Sequence, residues 1–375
     1  MRASQEWTFF CVVTPGLVEL ALKEWEEKKH ALGVTDQVVS VSPAGLEVTL
    51  PWSIGIGLVH VLKIPTRVLV RLTTLTARDF PKLHTKAQKL PWTSWLAHPE
   101  PRWKISAHQC RLMHTGRLEE TLTAALQKSL THQPLSLRWQ KEALAPETLY
   151  VRGVDDEWTI SLDITGEALY KRGAQLIRGE APLRETLAQA CLTYMFDPPP
   201  ETPVTLWDPM CGSGTFLFEA LSAHVPTERM FSYKHSALNL GVAPWKAKAA
   251  LSGFAIHAAI GSDIDRELVE KLTPVPGLTF KCEDFLNHPR TQLGPLWIIA
   301  NPPYGERLKL SEGISAFADK LSQALSASGA QRILLLVPAS WPELKIQGLR
   351  CQRRLGFSNG GLAVEARVWE IPHSI

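Results

Sequence analysis

The chain has 375 residues, 45% of them hydrophobic and 21% charged, with a formal net charge of +3. Such a composition predicts an ordinary globular protein of two or three domains and excludes a disordered or fibrous chain. The start, MRASQEWTFFCVVTPG, lacks the pattern of a secretory leader, and no uncharged apolar stretch is long enough to span a bilayer, so a cytoplasmic protein without membrane association is expected. The cysteines form no CxxC pair and no His cluster at zinc-ligand spacing, which predicts reduced thiols and no metal.

In chain order, Trp7–Val13 is an apolar, β-prone run broken by Pro15-Gly16, and Leu17–Lys29 has the apolar spacing of an amphipathic helix. Val38–Val41 and Leu46–Leu50 flank the turn former Ser42-Pro43-Ala44-Gly45 and read as a hairpin. Arg67–Thr74 alternates like a half-buried strand, and Trp103–Ala107 is a second short strand. Leu118–Leu130 gathers Leu118, Leu122, Ala125, Leu126 and Leu130 on one helical face. Leu149–Val154 and Trp158–Ile164, around Asp155-Asp156-Glu157, predict another hairpin. Between His60 and Gln140 thirteen Lys/Arg stand against four Asp/Glu, while both flanking regions are net acidic. Such a block suits a polyanion, because each cation placed on a phosphate releases condensed counterions; a merely solvated basic surface explains it equally well. Trp92, Trp95 and Trp103 lie in this block, where core packing is expected over base stacking.

The pattern changes near Pro182. Leu183–Phe196 is a helix stopped by Asp197-Pro198-Pro199-Pro200. Apolar strands then alternate with helices: Val204–Asp208, a helix from Thr215, Ala255–Asp263, a helix from Arg266, Thr279–Cys282, Trp297–Ala300, a helix through Ile314–Ser326, and Arg332–Val337. This order predicts an α/β, doubly wound and largely parallel sheet, with Ala363–Ile371 after Asn359-Gly360 as a closing antiparallel hairpin.

Four strand ends carry chemistry. In LWDPMCGSGTFL the strand ends at Asp208, and Cys211-Gly212-Ser213-Gly214 leads to a helix at Thr215. The glycines permit positive φ and close ligand approach, and the helix start offers free N–H groups. Leu217 stands where a GxGxxG fingerprint has its third glycine, so a dinucleotide loop is not complete. IGSDID places Asp263 at the next strand tip, where a carboxylate accepts ribose hydroxyls; Asp265 is the expected cap of the following helix. Asp263 follows Gly214 by 49 residues, which makes residues 224–253 an insertion. In KCEDFL, Asp284 is a candidate acceptor for an adenine amine, with Phe285 against the ring. LWIIANPPY delivers Asn301-Pro302-Pro303-Tyr304 to a fourth strand end. The Asn301 oxygen and a carbonyl beside the prolines suit a planar –NH₂ group, and Tyr304 offers a stacking face.

Taken in order, DPMCGSGTF, GSDID, CEDF and NPPYGERL resemble the class I S-adenosylmethionine-dependent methyltransferases, and within them the THUMP-domain RNA (guanine-N2) methyltransferases. The resemblance extends to LYKRGAQLIRGEAPLRETLAQACL (Leu169–Leu192), TPGLVELALKEW, HTGRLEETLTAAL and NGGLAVEARVWEI, and so covers nearly the whole chain. It implies a ferredoxin-like α+β region over 1–55, a THUMP-like RNA-binding domain over 56–165, a linker over 166–181 and a Rossmann-like methyltransferase domain over 182–375. Asp208, Pro209, Met210, Cys211, Gly212, Ser213, Gly214 and Thr215 would then wrap the methionine part of S-adenosylmethionine. Asp263 and Ile264 would take the ribose, and Asp284 and Phe285 the adenine. Pro182, Leu183 and Arg184 would lie beside the cofactor, with Arg184 a candidate for its carboxylate and equally for a helix cap or an RNA phosphate. Asn301, Pro302, Pro303 and Tyr304 would hold the target base, Asn301 also bordering the cofactor.

Among the family's members, the resemblance is nearest to enzymes methylating guanine of large-subunit ribosomal RNA, with transfer-RNA guanine methyltransferases next. NPPY also serves adenine-N6 methylation of RNA or DNA and glutamine methylation of proteins. A different class of reading is an RNA-binding ribosome assembly factor with an inactive methyltransferase fold. Phe231–Lys248 departs from the family pattern.

Overall fold

Alternating residues in the first half and unbroken apolar runs in the second build two seven-stranded sheets of different kinds. The computed structural model describes residues 4–132, 146–172, 183–222, 229–239, 241–287, 294–304 and 313–372. The chain divides into two units: unit 1 takes Met1–Val13, Trp25–Leu169 and Pro226–Ala250, and unit 2 takes Thr14–Glu24, Tyr170–Val225 and Leu251–Ile375. No described helix is long and apolar enough to cross a membrane.

The first part of the chain forms β1 (Glu6–Val12), α1 (Val18–Lys28), β2 (Val39–Ser42), β3 (Gly45–Pro51), α2 (Trp52–Gly55), α3 (Leu58–Val61), β4 (Arg67–Thr76), α4 (Phe80–Gln88), α5 (Trp92–Trp95), β5 (Arg102–His108), α6 (Thr115–His132), β6 (Thr148–Val154) and β7 (Glu157–Asp163). The sheet of unit 1 runs β2-β3-β1-β4-β7-β6-β5, antiparallel except for the parallel pair β5–β6. Both hairpins expected from the sequence are present.

Two neighbouring rows of paired residues show how alternation sets the faces of this sheet. Phe9, Val48, Val70, Leu162 and Leu149 pair across five strands and are all buried. One residue along, Thr8, Thr49, Arg71, Ser161, Tyr150 and Lys104 pair across six strands on the other face. There Arg71 donates to Glu47 (2.9 Å) and to Ser161 (3.2 Å), and stacks on Phe10. Trp92 and Trp95 are buried and Trp103 half-buried, packed edge-to-face on Trp92. They belong to the core, as expected.

The segment Pro226–Ala250 completes unit 1. His60, on α3, stacks on Trp245 with ring centroids 5.0 Å apart and shares a hydrogen bond with the Tyr233 hydroxyl (3.0 Å), while Phe231 meets it edge-on. Trp52 Nε1 donates to Asn239 Oδ1 (3.1 Å). Gly57 has to be glycine, because a Cβ there would stand 2.3 Å from Trp245 Nε1. Burial pushes the His60 imidazole down to about 4, with the Lys234 charge adding in the same direction.

The later part of the chain forms α7 (Glu185–Met195), β8 (Val204–Asp208), α8 (Thr215–Leu221), β9 (Ile256–Asp263), α9 (Arg266–Lys271), β10 (Leu278–Cys282), β11 (Leu296–Ala300), α10 (Gly313–Ala327), β12 (Arg332–Pro338), β13 (Arg350–Asn359) and β14 (Leu362–Glu370). Its sheet runs β10-β9-β8-β11-β12-β14-β13. The first five of these strands are parallel, and β14 and β13 add the expected antiparallel hairpin. Every residue of β8 and β11 is buried. From β8 the chain builds outward through β9 to β10, then returns to lay β11 and β12 on the other side. The order therefore reverses between β8 and β11, the place where open α/β sheets bind ligands.

Candidate functional site

The sheet register brings four strand ends level. Asp208 pairs with Gly261, two residues before Asp263, and Asp263 pairs with Cys282, two residues before Asp284. On the other flank Trp207 pairs with Ile298, three residues before Asn301. Beyond these ends lies a cavity of about 440 Å³, inside the usual range of small-molecule sites, roughly 300–1,000 Å³.

The glycine loop forms its floor. Cys211 N–H donates to the Ser262 carbonyl (2.9 Å), and Gly212 N–H donates to Asp263 Oδ2 (2.8 Å). The loop after β8 is thus tied to the end of β9. Gly214 ends the loop at φ +74°, with Phe218 and Phe280 packed where a Cβ would project; a larger residue there is both strained and crowded. Asp263 Oδ1 accepts from Asp265 N–H (3.0 Å), and Asp265 in turn caps α9 through Leu268 N–H (3.1 Å). A carboxylate offers about four lone-pair positions, so Asp263 retains acceptor capacity toward the cavity.

Asp208 is buried, and its Oδ1 accepts from Met210 N–H (3.2 Å). Burial holds its carboxyl well above the usual range, and the neighbouring Asp263 charge acts in the same sense. Burial likewise raises the Cys211 thiol, reinforced by Asp208 and Asp263, which leaves it an inert packing group.

Leu183, Asp208, Pro209, Met210, Cys211, Gly212, Ser213 and Thr215 line the cavity, as do Asp263, Ile264, Asp284, Phe285, Asn301 and Pro303. Ile264 is 70% exposed there, a large apolar side chain facing open space. Phe285 reaches the cavity but is buried edge-on against Trp207, whose Nε1 donates to Ser262. Both Asp284 oxygens accept within their own turn, from Leu286 N–H and Asn287 Nδ2. Arg184 lies outside the lining: it is exposed, and its guanidinium sits over Tyr170 at 4.9 Å. Gly214, Pro302 and Tyr304 are not among the residues that line the cavity, and Pro182 lies outside the described residues. Sequence reasoning missed Phe216, Leu268, Glu283, Leu286 and Phe317, which complete the wall. The helical periodicity of α8 and α10 was the available signal for Phe216 and Phe317.

Asn301 Oδ1 is buried with no hydrogen-bond partner among the described residues. An orphaned buried acceptor costs about 1–3 kcal/mol unless something fills it. Tyr304 is half-buried beside it, and its hydroxyl accepts from Asn359 Nδ2 at 3.4 Å. Asn359 ends β13 at the tip of the closing hairpin. The residues that line the site thus include the acidic acceptor Asp263 and Asn301, with its buried and unpartnered amide oxygen. Among the described residues no cluster of His, Cys, Asp and Glu is arranged to hold a metal.

Comparison with known proteins fits this geometry. Residues 172–342 match the UPF0020 family, described as an RMKL-like methyltransferase domain. A proposed RNA methyltransferase of Synechocystis is 27% identical, over 81% of this chain and 83% of its own length. Among solved structures, a predicted N6-adenine-specific DNA methylase from Listeria monocytogenes superposes with a TM-score of 0.77 at 21% identity, covering 99% of this chain and 98% of that one. SMU.472, a proposed methyltransferase solved with S-adenosylhomocysteine (SAH), gives 0.75 at 18% identity, with 99% and 100% covered. The fold is that of these methylases, and residues 172–342 are similar to the methyltransferase domain of that family.

Proposed function

We propose that this protein transfers a methyl group from S-adenosylmethionine to the exocyclic N2 amine of a guanine in structured RNA, with large-subunit ribosomal RNA as the first substrate to test. The cofactor is S-adenosylmethionine, the reading favoured by the matched domain and by the SAH bound in the SMU.472 structure. The residues present fit it: a glycine loop without side chains at Gly212, acidic strand ends for hydroxyl and amine groups, and the apolar Ile264 and Leu286 for a purine. S-adenosylmethionine supplies an already activated methyl group on a sulfonium.

The work left to the chain is binding and aiming. Asp263, at the end of β9, accepts the ribose hydroxyls. The loop from Asp208 to Thr215 encloses the methionine end. The observation that carries the reading is the unpartnered Asn301 Oδ1. It accepts one N–H of the target amine, and a main-chain carbonyl beside Pro302 accepts the other. Together they draw the nitrogen lone pair out of conjugation and point it toward the methyl carbon. Tyr304 stacks on the base, and the displaced amine proton passes to solvent. Unit 1, with its basic segment, grips the RNA through phosphate and shape; the name of the Synechocystis relative favours RNA.

The test is transfer of tritiated methyl to total RNA from a strain lacking the gene, followed by nucleoside analysis. Label in N2-methylguanosine is expected. Label in N6-methyladenosine would move the target to the adenine amine, as the name of the Listeria neighbour suggests for that protein. No label from naked RNA or ribosomal precursor, with SAH binding intact, would leave a non-catalytic RNA-binding role.

A further inference from the structure

Two residues 47 positions apart meet behind the cavity. Arg172 Nε donates to Glu219 Oε1 (3.1 Å) and its terminal Nη2 to Oε2 (3.0 Å), a two-pronged pair with side chains 1% and 6% exposed. Burying such a pair strips water from both charges, and an apolar pair of equal volume is often as stable or more so. Stability alone is therefore a weak reason for it. What an apolar pair lacks is direction, because two parallel hydrogen bonds fix both distance and rotation.

Glu219 sits on α8, the seven-residue helix that starts where the glycine loop ends. Residues three and four apart share a helix face, so Glu219 continues the face of Thr215 and Phe216, and both of those line the cavity. A helix of two turns moves as one piece, and a rotation at Glu219 is a rotation at Thr215. The same short stretch of chain is held a second time. Tyr170, two residues before Arg172, lies under the Arg184 guanidinium, and Arg184 is the N-cap of α7, next to cavity-lining Leu183. Tyr170–Arg172 thus reaches both walls, the Leu183 side through Arg184 and the Thr215 side through Glu219.

We infer that Arg172 is a positioning residue for the cofactor cavity: through Glu219 it fixes the orientation of the helix that carries Thr215 and Phe216. Arg172 touches neither cofactor nor substrate. The inference rests on the cofactor reading above, and SAH is the probe.

The experiment is calorimetric titration of the full chain with SAH, alongside thermal unfolding. Arg172→Gln is expected to weaken binding about tenfold or more, the scale on which displaced supporting residues act. Arg172→Lys keeps charge and length but loses the fork, and is expected to weaken it severalfold. The double variant Arg172→Met/Glu219→Met is expected to restore the unfolding midpoint while binding stays weak. Wild-type affinity in that double variant would overturn the inference and leave the pair a packing element. If the Gln or Met variants do not fold, Arg172→Lys decides: weakened binding upholds the inference, and unchanged binding sinks it. Failure of the wild-type protein to bind SAH would remove the cofactor reading and this inference with it. Normal wild-type binding with insensitive variants would remove this inference alone.

Discussion

The two sheets set out their side chains differently, according to strand direction. In unit 2 five parallel strands point their C-terminal ends the same way, so residues far apart in sequence, from Asp208 to Asn301, converge on one cavity. In unit 1 most neighbours run oppositely, and polar side chains spread across a face: Lys104, Tyr150, Ser161 and Arg71 stand side by side on four strands. A parallel sheet concentrates chemistry at an edge, whereas an antiparallel one distributes it over a surface. The first arrangement suits one small ligand and the second suits a long polymer.

That contrast can be broken most forcefully from the core of unit 1. Trp158 is fully buried, and its Nε1 donates to the Ala77 carbonyl. Trp158→Ala is expected to destabilise unit 1 by about 3–5 kcal/mol. Urea unfolding should show that loss while SAH affinity at low denaturant stays near wild type; a parallel fall in affinity would show that the contrast fails. Asn301→Ala is expected to lower turnover by about 10²–10³-fold, the effect of deleting one well-aimed polar group. Its SAH dissociation constant should remain within about twofold, an effect below roughly 0.4 kcal/mol; a large loss of binding would contradict the role given to this residue.

The third effect concerns acid. His60 in the folded chain titrates near 4, below its unfolded value near 6.5. Between those values the unfolded chain binds the extra proton, so stability is complete above about 6.5 and drains away as the pH falls toward 4, by about 2–3 kcal/mol. Denaturant midpoints between pH 7 and pH 5 should show the slope in the wild type and a flatter one in His60→Phe; equal slopes would rule His60 out as its source. The smallest effect sharpens the contrast from the other side. Arg102, Lys104 and Arg152 are exposed on β5 and β6. Changing all three to Gln is expected to raise the KM for RNA severalfold and to reduce the slope of log affinity against log salt by up to about three. SAH binding should not respond.

The same contrast explains what could be read from the sequence. Buried parallel strands are unbroken apolar runs, so Val204–Asp208 and Trp297–Ala300 stood out together with the residues that end them. Boundaries were also close where periodicity was long: the helix expected over Leu118–Leu130 is Thr115–His132. The four-residue helices α2, α3 and α5 complete barely one turn, too little for any period to register. The bulge between Arg71 and Thr73 left its strand recognisable while shifting its partners. Leu268 and Leu286 reach the cavity from a six-residue helix and a turn, and Arg172 meets Glu219 only through tertiary packing. No local pattern encodes such meetings. Nor does any mark Thr14–Glu24 as part of unit 2, or Pro226–Ala250 as part of unit 1.

That exchange of segments bears on how the chain is made. On a ribosome, residues up to Leu169 emerge before most of unit 2 exists, yet the aromatic ring that closes over His60 belongs to Trp245. At ordinary rates of synthesis, about 5–20 residues per second, its arrival lags by about 4–15 seconds. For that interval Trp52 and His60 wait without Asn239, Tyr233 and Trp245. Neither half can finish before the other has begun, and a gene cut at the apparent boundary would deliver two nascent chains, each missing a piece that the other carries.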